Sequence, residues 1–325
     1  MHLSKSTSGL FVLDHPNARS LHGRSVPRTG GVSLLAGIFV GIAPSVAEAA
    51  HASLRTAVAP LAGLLLLALV SFQDDRAGVA AMWRILTHLL AAAGLLAAGL
   101  TLGRLEFPGF AALFSGWSAT FFTLLFAVWM INLYNFMDGM DGFAGGMAVI
   151  GFTALAWLGR ADAAFVVICL IVAAASAGFL VHNFPPAKIF LGDIGSTTLG
   201  FLAAACILWG TEASLFPFWV AILVFSPFIV DATATLLRRL LRGEKVWEAH
   251  RTHYYQRLVL LGWGHRRTVL AEYALMLACA GSAALAVHLS SIGQAGLMIG
   301  WILVYGLSML GVGWLERRHA TVSVP

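Results

Sequence analysis

Residues 117–142 read WSATFFTLLFAVWMINLYNFMDGMDG, a long apolar run that ends in two aspartates, each followed by a glycine. A run of this length can cross the hydrocarbon core of a bilayer as a helix. Carboxylates are costly to hold near hydrocarbon, so acidic side chains gathered at the end of such a run indicate a function. The segment therefore predicts a membrane helix that carries acidic groups to one membrane surface.

Similar apolar runs recur along the whole chain. Hydrophobic residues make up 59% of the 325 residues and charged residues only 11%. This composition predicts an all-α polytopic integral membrane protein with about ten transmembrane helices. The predicted spans are 31–48, 57–73, 85–102, 117–134, 143–158, 163–181, 195–211, 216–236, 269–289 and 296–315. No separate soluble domain fits between them, so we expect residues 1–325 to form a single transmembrane domain.

The basic residues predict the orientation in the membrane. Of the 20 Lys and Arg residues, 17 fall on the side that holds the N-terminal segment, the loops after even-numbered spans and the C-terminal tail. The positive-inside rule makes this side cytoplasmic. The excess of Lys and Arg over Asp and Glu then reflects membrane topology and contact with anionic lipid or phosphate, and no nucleic acid is expected as a partner.

The same side holds six aspartates at or beside the span ends, which predict an active site formed by cytoplasmic loops. They are Asp74, Asp75, Asp138, Asp141, Asp193 and Asp231. A divalent cation bound to phosphates is the chemistry that such a group suits best. The adjacent pair Asp74 and Asp75 suits phosphoryl chemistry, because neighbouring carboxylates raise each other's proton affinity and one could act as a base. The alternative for this pair is a solvated acidic cap at a span end.

Polar side chains recur at every third position in the third cytoplasmic loop, so neighbouring pairs share a helical face while the series turns slowly around the axis. They are Asn132, Asn135, Asp138 and Asp141. Their oxygens and amide donors fit a nucleotide and its metal, with a simple polar turn as the alternative. In the fourth loop, glycines flank Asp193, and Ser196 is expected to cap the next helix, whose N-terminal amides favour an anion. Phe190 is either a lipid-facing anchor or a ring on which a base stacks.

Two basic stretches could bind phosphate. If the segment 250–257 is helical, one face presents donors that suit a diphosphate, namely His250, His253, Tyr254 and Arg257. An amphipathic surface helix is the alternative, and a zinc site lacks a third ligand. The first loop offers Arg19, His22, Arg24 and Arg28, which either grip a phosphate or anchor the chain at the membrane.

Taken together, these loops resemble the polyprenyl-phosphate N-acetylhexosamine-1-phosphate transferase superfamily, also called glycosyltransferase family 4. The resemblance covers residues 14 to about 267, through 14–31, 74–78, 132–142, 183–196 and 250–253, in the family's order and on one predicted face. The last motif, His250-Arg251-Thr252-His253, resembles the branch that initiates O-antigen or other surface polysaccharides. Relatives in this branch usually have a further span before the Asp14 motif. We therefore expect the chain either to begin further upstream or to work without that span.

The resemblance implies a reaction and its partners. An N-acetylhexosamine-1-phosphate would pass from a cytosolic UDP-sugar, of the UDP-GlcNAc, UDP-FucNAc or UDP-QuiNAc type, to undecaprenyl phosphate, with release of UMP. Mg²⁺ is the implied cofactor, with Mn²⁺ as a substitute. The implied location is the bacterial inner membrane, with a lipid bilayer around the chain and a homodimer as one expected state.

The resemblance also assigns roles to residues. Asp74, Asp75 and Asp193 are implied to be catalytic, with Asp74 as the candidate for deprotonating the acceptor. Asp193 and Asp138 are the implied metal ligands. The implied substrate-binding residues are Asn135, Asp138, Asp141, Asn183, Phe190, His250, Arg251 and His253, with Phe190 stacking on uracil. Direct attack by the lipid phosphate and a covalent aspartyl intermediate both stay open.

The alternative from another class is a membrane transporter or lipid flippase that uses its acidic residues to bind coupling ions. Two features count against it. The aspartates lie at span ends instead of mid-bilayer, and no matching pair of interrupted helices recurs in the two halves of the chain. A catalytically silent scaffold would have little reason to carry five such loops.

Overall fold

The computed structural model describes residues 13–14, 21–23, 25–52, 54–245 and 250–322. Within them, the α-helices are α1 Gly30–Ala52, α2 Leu54–Ala77, α3 Ala81–Ala97, α4 Gly116–Met137, α5 Phe143–Leu158, α6 Ala163–Asn183, α7 Gly192–Glu212, α8 Phe218–Val224, α9 Ser226–Leu241, α10 Tyr254–Leu258, α11 Gly264–Ala286 and α12 Ser291–Val322. A π-helical turn, Val259–Trp263, joins α10 to α11. Two short antiparallel hairpins complete the fold: β1 Leu13–Asp14 with β2 Val26–Pro27, and β3 Arg104–Phe107 with β4 Phe110–Leu113.

Six helices in the described part of the chain are long and apolar enough to cross a membrane, and α8 with α9 make a seventh if the bent pair counts as one span. Three shorter apolar helices accompany them: Gly30–Ser45, Ala81–Ala97 and Phe143–Leu158. Each predicted span overlaps one of these helices or the bent pair. The prediction of a polytopic helical membrane protein is therefore confirmed, while the number of ten crossings and the single domain over residues 1–325 stay predictions.

Helix α7 lies at the centre of the bundle. Its most apolar stretch is 78% buried, whereas that of α12 is only 6% buried, so α12 lies at the periphery. The backbone of α7 touches that of α4 at Gly200, where a Cβ would lie 2.5 Å from the Met130 carbonyl oxygen. Small residues allow membrane helices to approach this closely. This contact holds the C-terminal half of α4 and the N-terminal half of α7 side by side.

The span predicted over 216–236 is broken, because α8 and α9 meet at Phe225 at an angle of 82°. Pro227 has no backbone N–H and cannot continue the hydrogen bonding of the preceding turn. Ser226 lies at the bend, with its Oγ 2.6 Å from the Tyr305 hydroxyl of α12. The bend directs α9 away from α8, and Asp231 on α9 reaches the loop before α10.

A second difference concerns the span predicted over 85–102. Helix α3 ends at Ala97, and Gly99 then adopts a φ of 87°, a conformation that few other residues accept. The chain continues into the β3–β4 hairpin, which the apolar pattern did not indicate.

The α4–α7 contact gives a test of the fold. We expect Gly200→Ala to lower the free energy of unfolding by about 1–3 kcal/mol, since the new methyl group would meet backbone atoms that cannot move aside. Thermal unfolding of the detergent-solubilised protein measures the effect. Gly178→Ala is the matched control, because that helical glycine has nothing within 4 Å of its would-be Cβ. Equal melting temperatures for the two variants would contradict the close approach.

Candidate active site

A cavity of about 310 Å³ opens where the polar loops meet. Nine of the residues predicted from the sequence line it: His22, Arg28, Asn135, Asp138, Asp141, Asn183, Phe190, Asp193 and His250. Three further polar residues line it as well: Asp14, Gln256 and His265. We call this space the polar cavity. Loops that are far apart in the sequence thus converge on one site, as predicted.

A second cavity of about 160 Å³ lies between α2, α3, α4 and α7. Its polar wall includes Asp74, Arg84, His88 and Asn132, and apolar side chains such as Val70, Ile85 and Phe136 also line it. We call this space the amphipathic cavity. Asn135 and Asp193 line both cavities, so the two spaces meet at these two side chains.

Asp193 is held in place by its helix and by one amide. Helix α7 begins at Gly192 with a φ of +70°, and a Cβ at Gly192 would lie 2.8 Å from both Asp75 Oδ2 and the Arg28 carbonyl oxygen. Asn135 Nδ2 donates to Asp193 Oδ1 at 3.0 Å. The position of the Asp193 carboxylate between the two cavities is therefore fixed from two sides.

Asp75 is buried behind Asp193 and lines neither cavity. Its Oδ1 and Oδ2 accept the backbone N–H groups of Asp193 at 3.1 Å and Ile194 at 3.3 Å, and Arg28 Nη1 lies 3.8 Å away. Asp75 thus supplies the anion that the N-terminus of α7 attracts. Its catalytic role stays a prediction, and its contacts give it a positioning role.

The predicted cap at Ser196 is wrong. Helix α7 begins four residues earlier, at Gly192, so Ser196 lies inside the helix and its Oγ donates to the Gly192 carbonyl oxygen at 3.1 Å. The free N-terminal amides are bound by Asp75, which comes from a different helix. A local sequence pattern cannot show such a distant partner.

Asp74 faces the amphipathic cavity, where it joins the end of α2 to the start of α3. Its Oδ1 accepts the Val79 backbone N–H at 2.6 Å, and its Oδ2 lies 3.3 Å from Arg84 Nη1. Arg84 itself is partly exposed and also lines the cavity. The two neighbouring aspartates therefore have different surroundings, since only Asp74 borders a space that a substrate can enter.

Asn183 ties the third polar loop to the fourth. Its Oδ1 accepts the Gly142 N–H at 2.8 Å, and its Nδ2 donates to the Ile189 carbonyl oxygen at 2.9 Å. The side chain is buried, so these two bonds satisfy an amide that would otherwise be costly to bury. Asn183 borders the polar cavity, yet both of these hydrogen bonds join it to other protein groups and not to the cavity.

Asp141 also binds protein groups with both oxygens. Its Oδ2 accepts the Ala187 N–H at 2.9 Å, and its Oδ1 lies 3.0 Å from His265 Nδ1. Burial alone would raise the pKa of Asp141, but the hydrogen bonds from His265 and Ala187 outweigh it and the pKa is lowered. Asp141 is therefore ionised at neutral pH.

The helical face predicted over residues 250–257 is wrong. Helix α10 begins only at Tyr254, because Asp231 accepts the backbone N–H groups of Tyr254 at 2.9 Å and Tyr255 at 3.1 Å. His253 precedes the helix in an extended conformation and lies 3.2 Å from Asp231 through its Nδ1. The resemblance implied three substrate-binding residues in this loop, and of these only His250 lines the polar cavity. His253 is buried behind it, and Arg251 is exposed and lines neither cavity.

His250 is uncharged at neutral pH. Burial, followed by the neighbouring His253 and Arg239, lowers the pKa of His250 to about 4. Its Nδ1 lies 3.0 Å from Thr252 Oγ1, and its ring centroid lies 4.8 Å from that of His253. Toward an anion in the cavity, His250 can therefore act as a neutral N–H donor.

The polar cavity has a donor set that fits Mg²⁺. Asp138 and Asp193 both line it, and burial, followed by the negative charge of Asp193, raises the pKa of Asp138 well above its usual value. Within the described ranges, no group of three or more His, Cys, Asp or Glu residues is arranged to enclose a metal ion. Mg²⁺ commonly takes one or two carboxylates and completes its shell with water and substrate phosphates, so two carboxylates suffice.

The N-terminal segment closes one side of the polar cavity. Asp14 lies 3.2 Å from His22 Nε2 and 3.3 Å from Arg28 Nε. The His22 ring packs edge-on against Phe190, with centroids 4.7 Å apart. Arg19 and Arg24, which the sequence also indicated, lie outside the described residues.

Sequence reasoning missed several residues of the two cavities. In the amphipathic cavity these are Arg84 and His88, and His88 Nδ1 lies 3.1 Å from Asn132 Nδ2. Both residues stand in an apolar helical pattern, and an ionisable residue in such a pattern is itself a signal of function. Gln256 and His265 of the polar cavity had no comparable signal, because they lie within a long polar stretch where polar residues are expected.

The fold and the site define a class: a polytopic membrane protein with a polar cavity joined to an amphipathic one at one end of its helices. Comparisons with known proteins agree with this. The family model "Glycosyl transferase family 4" matches residues 57–211. The chain belongs to this family, the polyprenyl-phosphate hexosamine-1-phosphate transferases.

Three relatives illustrate the similarity. A Bacillus subtilis (strain 168) protein, named a probable undecaprenyl-phosphate N-acetylglucosaminyl 1-phosphate transferase, is 31% identical over 81% of this chain and 74% of its own length. The Mycobacterium tuberculosis (strain H37Rv) decaprenyl-phosphate N-acetylglucosaminephosphotransferase is 28% identical over 93% of this chain and 82% of its own. The Escherichia coli (strain K12) undecaprenyl-phosphate alpha-N-acetylglucosaminyl 1-phosphate transferase is 28% identical over 79% and 71%.

The contacts of Asp75 give a testable prediction. We expect Asp75→Asn to lower the free energy of unfolding by about 1–3 kcal/mol, because a carboxamide offers one acceptor oxygen where two buried N–H groups need one each. Thermal unfolding in detergent measures it. Asp162→Asn is the matched control, since Asp162 accepts a single N–H at the start of α6 and asparagine caps a helix as well as aspartate. An unchanged melting temperature for Asp75→Asn would refute the positioning role.

Proposed function

We propose that this chain transfers an N-acetylhexosamine-1-phosphate from a UDP-sugar to undecaprenyl phosphate, forming a lipid-diphosphate-linked sugar and UMP. The observation that carries the proposal is the pair of cavities, polar and amphipathic, that share Asn135 and Asp193. A transfer reaction requires two substrates whose reacting atoms meet in a fixed orientation. The names of the relatives support a polyprenyl phosphate as acceptor and favour UDP-GlcNAc among the donors.

The donor nucleotide fits the polar cavity. Phe190 offers a ring for a planar base, and Arg28 and His250 offer hydrogen-bond donors for a diphosphate. Asn135 and Asp138 lie beside Asp193, where the sugar-bearing phosphate would be placed. The donor would therefore extend from Phe190 at its base end to Asp193 at its reacting end.

The acceptor fits the amphipathic cavity. Arg84 and His88 can bind its phosphate, and the apolar wall suits the first isoprene units. The outer face of α3 continues this surface with exposed apolar side chains, among them Ile85 and Leu89. A long prenyl chain could follow this face into the bilayer while its phosphate stays at the cavity.

The reaction that we propose is a direct displacement. An oxygen of the acceptor phosphate attacks the phosphorus that carries the sugar, the bond to the bridging oxygen breaks, and UMP leaves with both bonding electrons. A phosphate monoester is largely dianionic at pH 7, so little deprotonation is needed. Asp74 would hold Arg84 and accept any remaining proton. The chain then acts mainly by positioning two anionic substrates.

Mg²⁺ belongs to the proposal as cofactor, held by Asp193 and Asp138, with Mn²⁺ as a substitute. When bound, such a cation supplies positive charge that neutralises the diphosphate and polarises the bond that breaks. Asn135 would keep Asp193 oriented toward it through the 3.0 Å hydrogen bond.

The setting that we propose is the bacterial inner membrane, with both cavities facing the cytoplasm, where UDP-sugars are made. The orientation rests on the excess of Lys and Arg on this side of the membrane. The product would start a cell-surface polysaccharide such as O-antigen. A homodimer stays a prediction.

Transfer of radiolabelled sugar-1-phosphate from a panel of UDP-N-acetylhexosamines to undecaprenyl phosphate in detergent tests the function. We expect a lipid-linked product that needs Mg²⁺, is abolished by a chelator and returns when the ion is restored. Asp193→Asn should lower kcat by about 10²-fold or more, since it removes a charge beside the reacting phosphates. Asp162→Asn, far from both cavities, should keep full activity. A folded wild type with no product from any donor would overturn the proposal in favour of ion-coupled transport.

Because the acceptor is proposed to bind in a different cavity from the donor, a substitution in that cavity should change the KM for one substrate and not for the other. Arg84→Gln should raise the KM for undecaprenyl phosphate by about tenfold while leaving the KM for the UDP-sugar nearly unchanged, because it removes a charge that binds phosphate. Arg76→Gln is the control, since Arg76 is exposed in the last turn of α2 and lines neither cavity. A rise in the donor KM instead would place Arg84 on the nucleotide side.

A further inference from the structure

We infer that His265 is a positioning residue that shapes the uridine end of the donor site by joining the Asp141 carboxylate to the backbone of Leu21. Neither the sequence motifs nor the proposed chemistry uses this histidine, which stands at the start of α11 and lines the polar cavity. The inference rests on the proposed function only for the identity of the nucleotide.

The two ring nitrogens of His265 both face acceptors. Nδ1 lies 3.0 Å from Asp141 Oδ1, and Nε2 lies 3.2 Å from the Leu21 carbonyl oxygen. A neutral imidazole has a single N–H, so only the protonated ring can donate to both. The Asp141 backbone N–H also points at Nδ1, at 3.3 Å, but the carboxylate contact is shorter and favours the protonated form. The cationic ring can therefore donate one hydrogen bond to the Asp141 carboxylate and one to the Leu21 carbonyl, and so links these two groups.

This link joins four segments that are far apart in the sequence. Asp141 belongs to the loop after α4, and its other oxygen accepts the N–H of Ala187 in the loop before α7. Leu21 adjoins His22, whose ring packs edge-on against Phe190 at 4.7 Å. Through Leu21, His265 supports His22, which packs against Phe190. Through Asp141, His265 supports the loop that carries Phe190. Without that link, the wall around the Phe190 ring would lose the two ties that His265 makes to Asp141 and to Leu21.

The chemistry of this end of the cavity suits a nucleobase better than a phosphate. Its surface combines the rings of Phe190 and His22 with the ionised Asp141. A carboxylate repels phosphate, whereas it can accept a hydrogen bond from the imide N–H of a uracil. Arg28 and His250, which line the same cavity, provide donors for the phosphates. The ligand that His265 serves is therefore the pyrimidine of the donor and not its diphosphate.

Three substitutions separate the two contacts. His265→Ala removes both, His265→Asn can keep a donor near the position of Nδ1 toward Asp141, and His265→Gln can keep one near the position of Nε2 toward Leu21. We expect His265→Ala to weaken UMP binding and raise the KM for the UDP-sugar by about tenfold or more, with the two amide variants in between. The kcat and the KM for undecaprenyl phosphate should change less than about threefold, since neither depends on the base end. Arg267→Gln, exposed two residues further on, should match the wild type in all of these.

UMP binding, measured by calorimetry on the detergent-solubilised protein, keeps this inference separate from the proposed function. If the wild type binds UMP and the His265 variants bind it more weakly, the inference holds, whichever transfer products form. If UMP affinity and donor KM stay at wild-type values in all three variants while sugar transfer continues, the inference fails and the proposed function stands. If the folded wild type binds no UMP and transfers no sugar, both are overturned.

Discussion

The carboxylate of Asp75 at the N-terminus of α7 is the interaction on which the site depends. It joins the end of α2 to the central helix through the amides of Asp193 and Ile194, and Arg28 approaches it from the N-terminal segment. Gly192 is required there, because any side chain would collide with the Asp75 oxygens and with the Arg28 backbone. The helix N-terminus attracts an anion, and a protein anion already satisfies it. Asp193 is thereby placed where the two cavities meet.

The same principle recurs around the polar cavity, where each loop is tied to another by one side chain that accepts backbone N–H groups. Asn183 joins the third loop to the fourth, Asp231 fixes the start of α10, and Asp141 holds the Ala187 amide. Buried N–H groups without partners are costly, so these bonds determine how irregular backbone can pack at the membrane surface. Loops held in this way can keep their geometry without a hydrophobic core of their own.

The sequence was sufficient to predict the helical membrane fold, because long apolar runs separated by short polar loops allow few other structures. It also predicted which loops converge, since parity placed Asp74, Asp138 and Asp193 on one side. It could not predict the bend at Phe225, the β3–β4 hairpin or the start of α10, because these depend on contacts between distant residues. Ser196 shows the same limit, since a local cap pattern was outcompeted by Asp75 from another helix.

The structure divides five of the six aspartates of the predicted site into two groups. Asp75, Asp141 and Asp231 each accept protein N–H groups with their oxygens, and such bonds stabilise the charged form where water is scarce. Asp138 and Asp193 instead border the polar cavity and face each other's charge, with Asn135 as the near polar partner of Asp193. Asp74 falls between the two groups, because it borders the amphipathic cavity but also accepts the Val79 N–H and pairs with Arg84. Carboxylates that repel one another and lack a full set of donors are the ones that gain most from a cation or from a positively charged substrate group. The acidic residues that look alike in the sequence therefore separate into those that build the site and those left free to act in it.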